Sequence, residues 1–228
     1  MGDCCSRPKD SEIERHREKQ NSENDIVFIE PAVYYTKHEL VQKSGVQLSQ
    51  LLSKLESEKT HFYSKLENST AGLESTPKIS VEVQKGVDLY RPGCFSTYKP
   101  YIKISLEPGG PSFSTTTGNK YLPEWYKLIE ISQSLLGFQS LRFNIMLTKD
   151  SDYPLVFGRF DLALTELENQ KVFNNWVKVS NDFGDSELKS RLKVRVQLIH
   201  DIRALYTVYV KEINEKIEEV EGFIKKQT

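Results

Sequence analysis

Between residues 77 and 200 the apolar side chains recur at every second position, and on both sides of that stretch they recur every three or four. A period of two puts alternate residues on opposite faces of a strand, whereas a period near 3.6 puts them on one stripe of a helix. One chain therefore carries two kinds of core. Ile79, Val81 and Val83 alternate with polar neighbours, as do Leu192, Val194, Val196 and Leu198. Further short strands are expected at 101–106, 126–131, 141–147, 157–164 and 176–179. Turn residues separate them, such as Pro108, Gly109, Gly110 and Pro111, or the run from Asn181 to Gly184. About eight strands at this spacing is the pattern of an antiparallel β-sandwich.

The flanking stretches read as helices. In 37–69, Val41, Leu48, Leu55 and Phe62 recur every seven residues, with Leu52 and Leu66 on the same stripe. Gly45 and Lys59 interrupt it. In 201–226, Tyr206, Val210, Ile213, Ile217, Val220 and Ile224 step by four and three, a heptad seam. Lys225 and Lys226 close the last turn, where they complement the helix dipole. Gly222 inside the seam costs about 1 kcal/mol against Ala.

The 228 residues divide into a solvated tether (1–25), a docking segment with an amphipathic helix (26–76), a sandwich domain (77–200) and a C-terminal amphipathic helix (201–228). Residues 6–25 mix both charge signs around a lone Ile13 and cannot bury enough surface to offset their ordering entropy, so the tether reads as disordered. The run from Ile26 to Tyr35 is apolar and extended at Pro31, and is expected to dock on the folded body. The net charge of −1 argues against a nucleic-acid partner. No apolar run is long enough to span a membrane, no secretory signal is evident, and three cysteines do not make a disulfide framework, which points to a reducing compartment.

The order of several short motifs resembles the C2 domain family over 77–200. The run from Ile79 to Val83 followed by Asp88 and Leu89 is similar to that family's opening strand and loop. Lys99-Pro100-Tyr101-Ile102-Lys103-Ile104 is similar to its D-P-Y-V-K-V strand, and the run from Asn119 to Trp125 to its T-L-N-P-V-W corner. The run from Leu141 to Leu147, then Phe157 and Gly158, is similar to its L-x-I-x-V-x-D and F-I-G pair, and Trp176 to Val179 to its W-x-x-L strand. The resemblance implies an all-β C2-like sandwich, and the periodicity on either side adds two long flanking helices. It also implies a tip where many members bind Ca²⁺ through five aspartates, since a hard cation needs several oxygen ligands. Aligned without gaps, those positions fall on Gly93, Lys99, Leu147, Lys149 and Leu155, none acidic. Asp150 and Asp152 lie nearby, out of register, and two carboxylates make a poor cage. No metal and no cofactor are therefore expected.

Lys99 and Lys149 would instead attract anionic lipid, and Tyr98 and Tyr153 share their loops, as do Tyr90, Phe95, Leu155 and Val156. Solvated loop lysines are the simpler reading. Lys189, Arg191, Lys193 and Arg195 form a basic stripe on the last strand, a surface for phosphoinositide or an acidic partner. A charged solvent face that blocks edge pairing is the favoured account. First and last strands are neighbours in C2 domains, so the two helices are expected to leave together and pair within the chain. A coiled coil between two copies, or one stripe laid on the sandwich, are the alternatives.

Met1-Gly2-Asp3-Cys4-Cys5-Ser6 fits the M-G-x-x-x-[ST] pattern of N-myristoylation. Acidic Asp3 is its one departure, being disfavoured beside the acceptor glycine. Cys4 and Cys5 are placed for palmitoylation, and a single myristoyl chain needs such a second signal for stable anchoring. The cysteine pair has only His16 nearby, which is no zinc site. His16, His38, His61 and His200 are scattered, no nucleophile–base or phosphate-loop motif is present, and Cys94 lacks an evident base. The chain thus reads as a non-enzymatic, lipid-anchored peripheral adaptor or scaffold on the cytoplasmic face of a membrane (plasma, ciliary or vesicle), with a Ca²⁺-independent C2 domain and an unidentified protein partner. The alternative is a structural protein of a cytoskeletal or ciliary assembly, and a weaker one a Ca²⁺-dependent membrane sensor.

Overall fold

A computed structural model describes residues 28–69, 76–89, 98–119, 122–149, 153–181 and 190–227. The tether, Gly2, Cys4 and Cys5 lie outside the described residues.

Among the described residues the sandwich is built from nine strands: β1 (Lys78–Val87), β2 (Lys99–Glu107), β3 (Ser112–Ser114), β4 (Glu124–Ser132), β5 (Ser140–Thr148), β6 (Leu155–Ala163), β7 (Phe173–Lys178), β8 (Ser180–Asn181) and β9 (Arg191–Ile199). They form a four-stranded sheet ordered β4-β1-β9-β7 and a five-stranded sheet ordered β3-β2-β5-β6-β8. All pairings are antiparallel. The expected C2-like sandwich is the fold observed. Asn181, expected from sequence to open a turn, instead joins Ser180 in the short β8 against Arg159 and Gly158. The pair is legible only through its partner strand, since two polar residues carry no alternation.

Alternation fills the space between the sheets. Ile79, Val81, Leu141, Phe143, Leu192 and Val194 are fully buried there. β1 departs from strict alternation: its pairing register shifts between Val83 and Lys85, against both β4 and β9. The extra residue, Gln84, is buried and donates to the Glu82 carboxylate at 2.8 Å. A one-residue insertion exchanges the two faces of a strand. Val83, before the bulge, keeps the inward face of Ile79 and Val81, and beyond the bulge Lys85 stands outward opposite Lys193.

The helical stretch 37–69 is two helices, α1 (Lys37–Gln42) and α2 (Gly45–Asn68). Each begins with a capping box, Thr36 with Glu39 and Ser44 with Gln47. The break at Lys43 and Ser44 shifts the stripe, so Leu40 is buried and Val41 is exposed. Leu48, Leu55 and Phe62 keep the buried positions expected of them. The last helix, α3 (Ile202–Gln227), buries Tyr206, Ile213 and Val220 from the seam. Leu205 and Tyr209 are buried as well, which widens the stripe. α2 and α3 pack against each other around a second core, separate from the sandwich interior, to which Ile29 and Ile199 also belong. β9 divides its last residues between the two: Leu198 faces the sandwich and Ile199 the helices.

The segment 28–35 straps these bodies together. Ile29 donates its N–H to Gln197 Oε1 at 2.7 Å, and its carbonyl accepts from Gln197 Nε2 and from the Tyr209 hydroxyl, both at 2.8 Å. The N–H groups of Ala32 and Val33 donate to the Glu58 carboxylate on α2. Tyr35 donates to the Lys216 carbonyl at 3.0 Å on α3. Gln170, in the left-handed region at φ 59°, accepts through Oε1 from His200 N–H at 3.0 Å and Asp201 N–H at 2.8 Å, holding the turn from sheet to helix.

Candidate functional site

Two surfaces carry the residues singled out by sequence. The first is the end of the sandwich where β2 begins and β5 ends. Lys99 pairs in register with Thr148, so Lys149 lies one residue beyond it on the neighbouring strand. Both lysines are exposed. Tyr153 is 93 % exposed, and Leu155 and Val156 are also exposed, at the start of β6. Tyr98 differs: it is partly buried and packs on the sandwich core. Leu147, one of the five positions that sequence reading sets against a family aspartate, is fully buried in that core, because β5 alternates inward at this residue. Gly93, Tyr90, Phe95, Cys94, Asp150 and Asp152 lie outside the described residues. Among the described residues no three His, Cys, Asp or Glu side chains gather to hold a metal ion.

The second surface is the outer face of the four-stranded sheet. Arg191, Lys193 and Arg195 all point to it, as alternation requires. Lys189 lies outside the described residues. The three described residues do not act as one stripe. Arg195 forms an ion pair with Glu30 of the strap, and Phe28 stacks on its guanidinium at 4.1 Å. That cation is engaged inside the molecule, by a partner that sequence spacing cannot reveal because Glu30 lies 165 residues away.

Arg191 and Lys193 gain different neighbours. Trp176 on β7 pairs in register with Lys193, and Lys85 pairs with Lys193 from the other side. The Arg191 guanidinium and the Lys85 ammonium lie over the Trp176 ring at 5.8 Å and 5.9 Å. Trp176 remains 40 % exposed. Lys178 pairs with Arg191 and is exposed. Lys193 donates to the Asn174 carbonyl at 3.1 Å. Two lysines directly opposite each other are mutually repulsive, and the aromatic face beside them offsets part of that through cation–π attraction. The result is a compact cationic patch around an exposed indole.

Spacing along the sequence reveals half of this patch. The bulge at Gln84 hides Lys85, and Trp176 stands out only as part of a family motif. Its position two residues before Lys178, on a strand with exposed Asn174, is the available signal for an outward indole.

The family model of the C2 domain matches residues 77–179, the region of β1 to β7. Among solved structures, the chain is similar to a C2 domain of plant extended synaptotagmin 1, at 21 % identity and a TM-score of 0.46, covering 54 % of this chain and 95 % of that one. It is also similar to the region of extended synaptotagmin 2 that joins an SMP domain to two C2 domains, at 17 % identity and a TM-score of 0.43, covering 54 % and 27 %. Human GIVD cytosolic phospholipase A2 matches at 15 % identity and a TM-score of 0.45, covering 57 % of this chain and 18 % of the enzyme. No significant match occurs among curated protein sequences. The two-sheet antiparallel sandwich and the family match over residues 77–179 show a C2-like fold for the region beginning at β1.

Proposed function

We propose that the protein is a lipid-anchored peripheral adaptor, held on the cytoplasmic face of a membrane by acyl chains at Gly2, Cys4 and Cys5. The observation that carries this reading is Met1-Gly2-Asp3-Cys4-Cys5-Ser6 standing ahead of a C2 domain. A myristoyl chain alone binds marginally, and the adjacent thiols offer the second signal. No helix among the described residues is long and apolar enough to cross a membrane, so attachment rests on acylation and on the domain surface.

The C2 domain adds orientation in this reading. Lysines in place of acidic ligands at Lys99 and Lys149, and a core leucine at Leu147, support a contact that does not depend on Ca²⁺. Each cation of the patch around Trp176 contributes about 1 kcal/mol near an anionic leaflet. Lys85, Lys178 and Arg191 would then press on headgroups while the helical pair stays available to a protein partner.

Intact mass spectrometry of the protein from its native cells tests the anchor. The expected result is a mass increase equal to myristate, with or without palmitate, after loss of Met1. Fractionation of a Gly2→Ala, Cys4→Ser, Cys5→Ser variant separates this reading from a skeletal role. Release into the soluble fraction supports the membrane reading, and retention in a detergent-resistant skeleton overturns it.

A further inference from the structure

We propose that the trench between the strap and α2 is a docking site for the protein's own N-terminal acyl chain. The inference rests on the acylation reading above and adds a resting state to it. The trench has a volume of 520 Å³, inside the ~300–1,000 Å³ range of ligand sites. Phe28, Ile29, Ala32 and Val33 form one wall, and Phe62 and Tyr206 supply aromatic surface opposite.

Its shape follows from helix geometry. The α2 residues that line it run from Lys54 through Ser57, Glu58, His61 and Phe62 to Lys65. Their spacing of three and four keeps them on one stripe. Eleven steps of 1.5 Å give a wall ~16 Å long, of the order of an extended myristoyl chain. Phe28, Ile29, Ala32, Val33, Phe62 and Tyr206 give the trench its apolar surface, Lys54 and Lys65 are exposed at the two ends of the α2 stripe, and the Glu58 carboxylate between the walls is held by the Ala32 and Val33 N–H groups. A saturated chain packs on the apolar surface, while the Glu58 charge is already met by those backbone donors.

The occupant is named by where the chain enters. Phe28 lines the trench, and Gly2 precedes it by twenty-six positions. At 3.3–3.6 Å per residue that length reaches ~85 Å at full extension, more than enough to return the amino end to the trench. Tethering makes the encounter intramolecular and raises the effective concentration of the acyl group. Because one myristoyl chain holds a bilayer only marginally, trench and membrane compete on comparable terms. Palmitate on Cys4 or Cys5 would then shift the chain to the membrane side.

The test uses the full chain made in bacteria with and without an N-myristoyltransferase, so that palmitate is absent, and neutral phosphatidylcholine vesicles. Intact mass is read first. No myristate despite the transferase sinks the acylation reading and this inference with it. With myristate attached, amide exchange in 28–33 and 54–65 is expected to slow at least fivefold in solution relative to the unacylated chain. Ser57→Trp and Ala32→Trp fill the trench from opposite walls. Each is expected to raise vesicle partitioning of the myristoylated protein about tenfold and to leave the unacylated protein unchanged. Equal partitioning of the myristoylated wild type and both variants, with no change in exchange, overturns the docking while acylation stands. An unacylated dimer that Ser57→Trp dissociates would assign the trench to a second copy and also overturns it.

Discussion

Gln197 is fully buried, and its amide satisfies three backbone groups at once: the N–H and carbonyl of Ile29 and the carbonyl of Gln170. A buried amide is tolerated only when its donors and acceptors are matched. Here the matching is also what holds the strap, because Ile29 lies in no strand of either sheet. Gln197→Leu keeps the side-chain volume and removes every one of those bonds. Leaving a buried backbone donor unpaired costs about 1–3 kcal/mol. The expected outcome is a lower urea midpoint with an unchanged slope, together with faster exchange of the Ile29 amide. An unchanged midpoint would show that the strap contributes nothing to the stability of the fold. Arg195 illustrates the same dependence on distant partners. Its charge is legible as part of a basic strand, but its engagement with Glu30 and Phe28 is not. Local spacing reports which face a side chain takes, not who meets it there.

At the scale of elements, periodicity locates the strands well because each is amphipathic over its own length. Ile79 and Val81 on β1, or Leu192 and Val194 on β9, alternate without help from the rest of the chain. Interruptions of one residue are the hard cases. The bulge at Gln84 reverses the faces of β1 and puts Lys85 into the patch, while the surrounding composition stays that of an ordinary strand. The heptad count that runs through Val41 crosses a helix end it does not detect, although Ser44 and Gln47 spell a capping box. The seam of α3 is legible except in width, since Leu205 and Tyr209 join the same core as the strap residue Ile29 and the sheet residue Ile199. Its one unfavourable residue offers a clean test. A Cβ built on Gly222 meets no atom within 4 Å. Gly222→Ala should therefore stabilise the protein by roughly 0.5–1 kcal/mol through helix propensity alone. Leu55→Ala, fully buried in the core that α2 and α3 share, should cost ~2–5 kcal/mol. Paired thermal melts read both, and a destabilised Gly222→Ala would mean that α3 needs flexibility at that turn.

For the whole molecule, the strap hydrogen-bonds both to the sheet that faces the second core and to the helices, and its clasp is made of tyrosines. Tyr209 is buried and donates to the Ile29 carbonyl, and burial raises its pKa, with Tyr34, Glu30 and Glu212 adding to the effect. Tyr35 donates to Lys216 and Glu219, and burial followed by the Glu219 charge raises it too. Tyr34, largely exposed beside Glu30, is pushed up to about 12 by partial burial and then by that carboxylate. In each case the folded state holds its proton more tightly than the unfolded chain, whose tyrosines titrate near ~10. The native protein then binds more protons than the unfolded one across that interval, so stability falls as pH rises. The contribution is complete below about pH 10 and is lost as pH climbs toward and through about 12. Urea midpoints measured at intervals across this window should decline, with exchange at Ile29 and Val33 accelerating first. General alkaline repulsion would also lower the midpoint, so the slope of Tyr35→Phe decides the cause. That variant starts lower at neutral pH, having lost the bonds to Lys216 and Glu219, and has one fewer proton to release. Its curve should decline less steeply and converge on the wild type at the alkaline end. Parallel curves would place the loss elsewhere and remove the tyrosine clasp as the link between the sandwich and its helices.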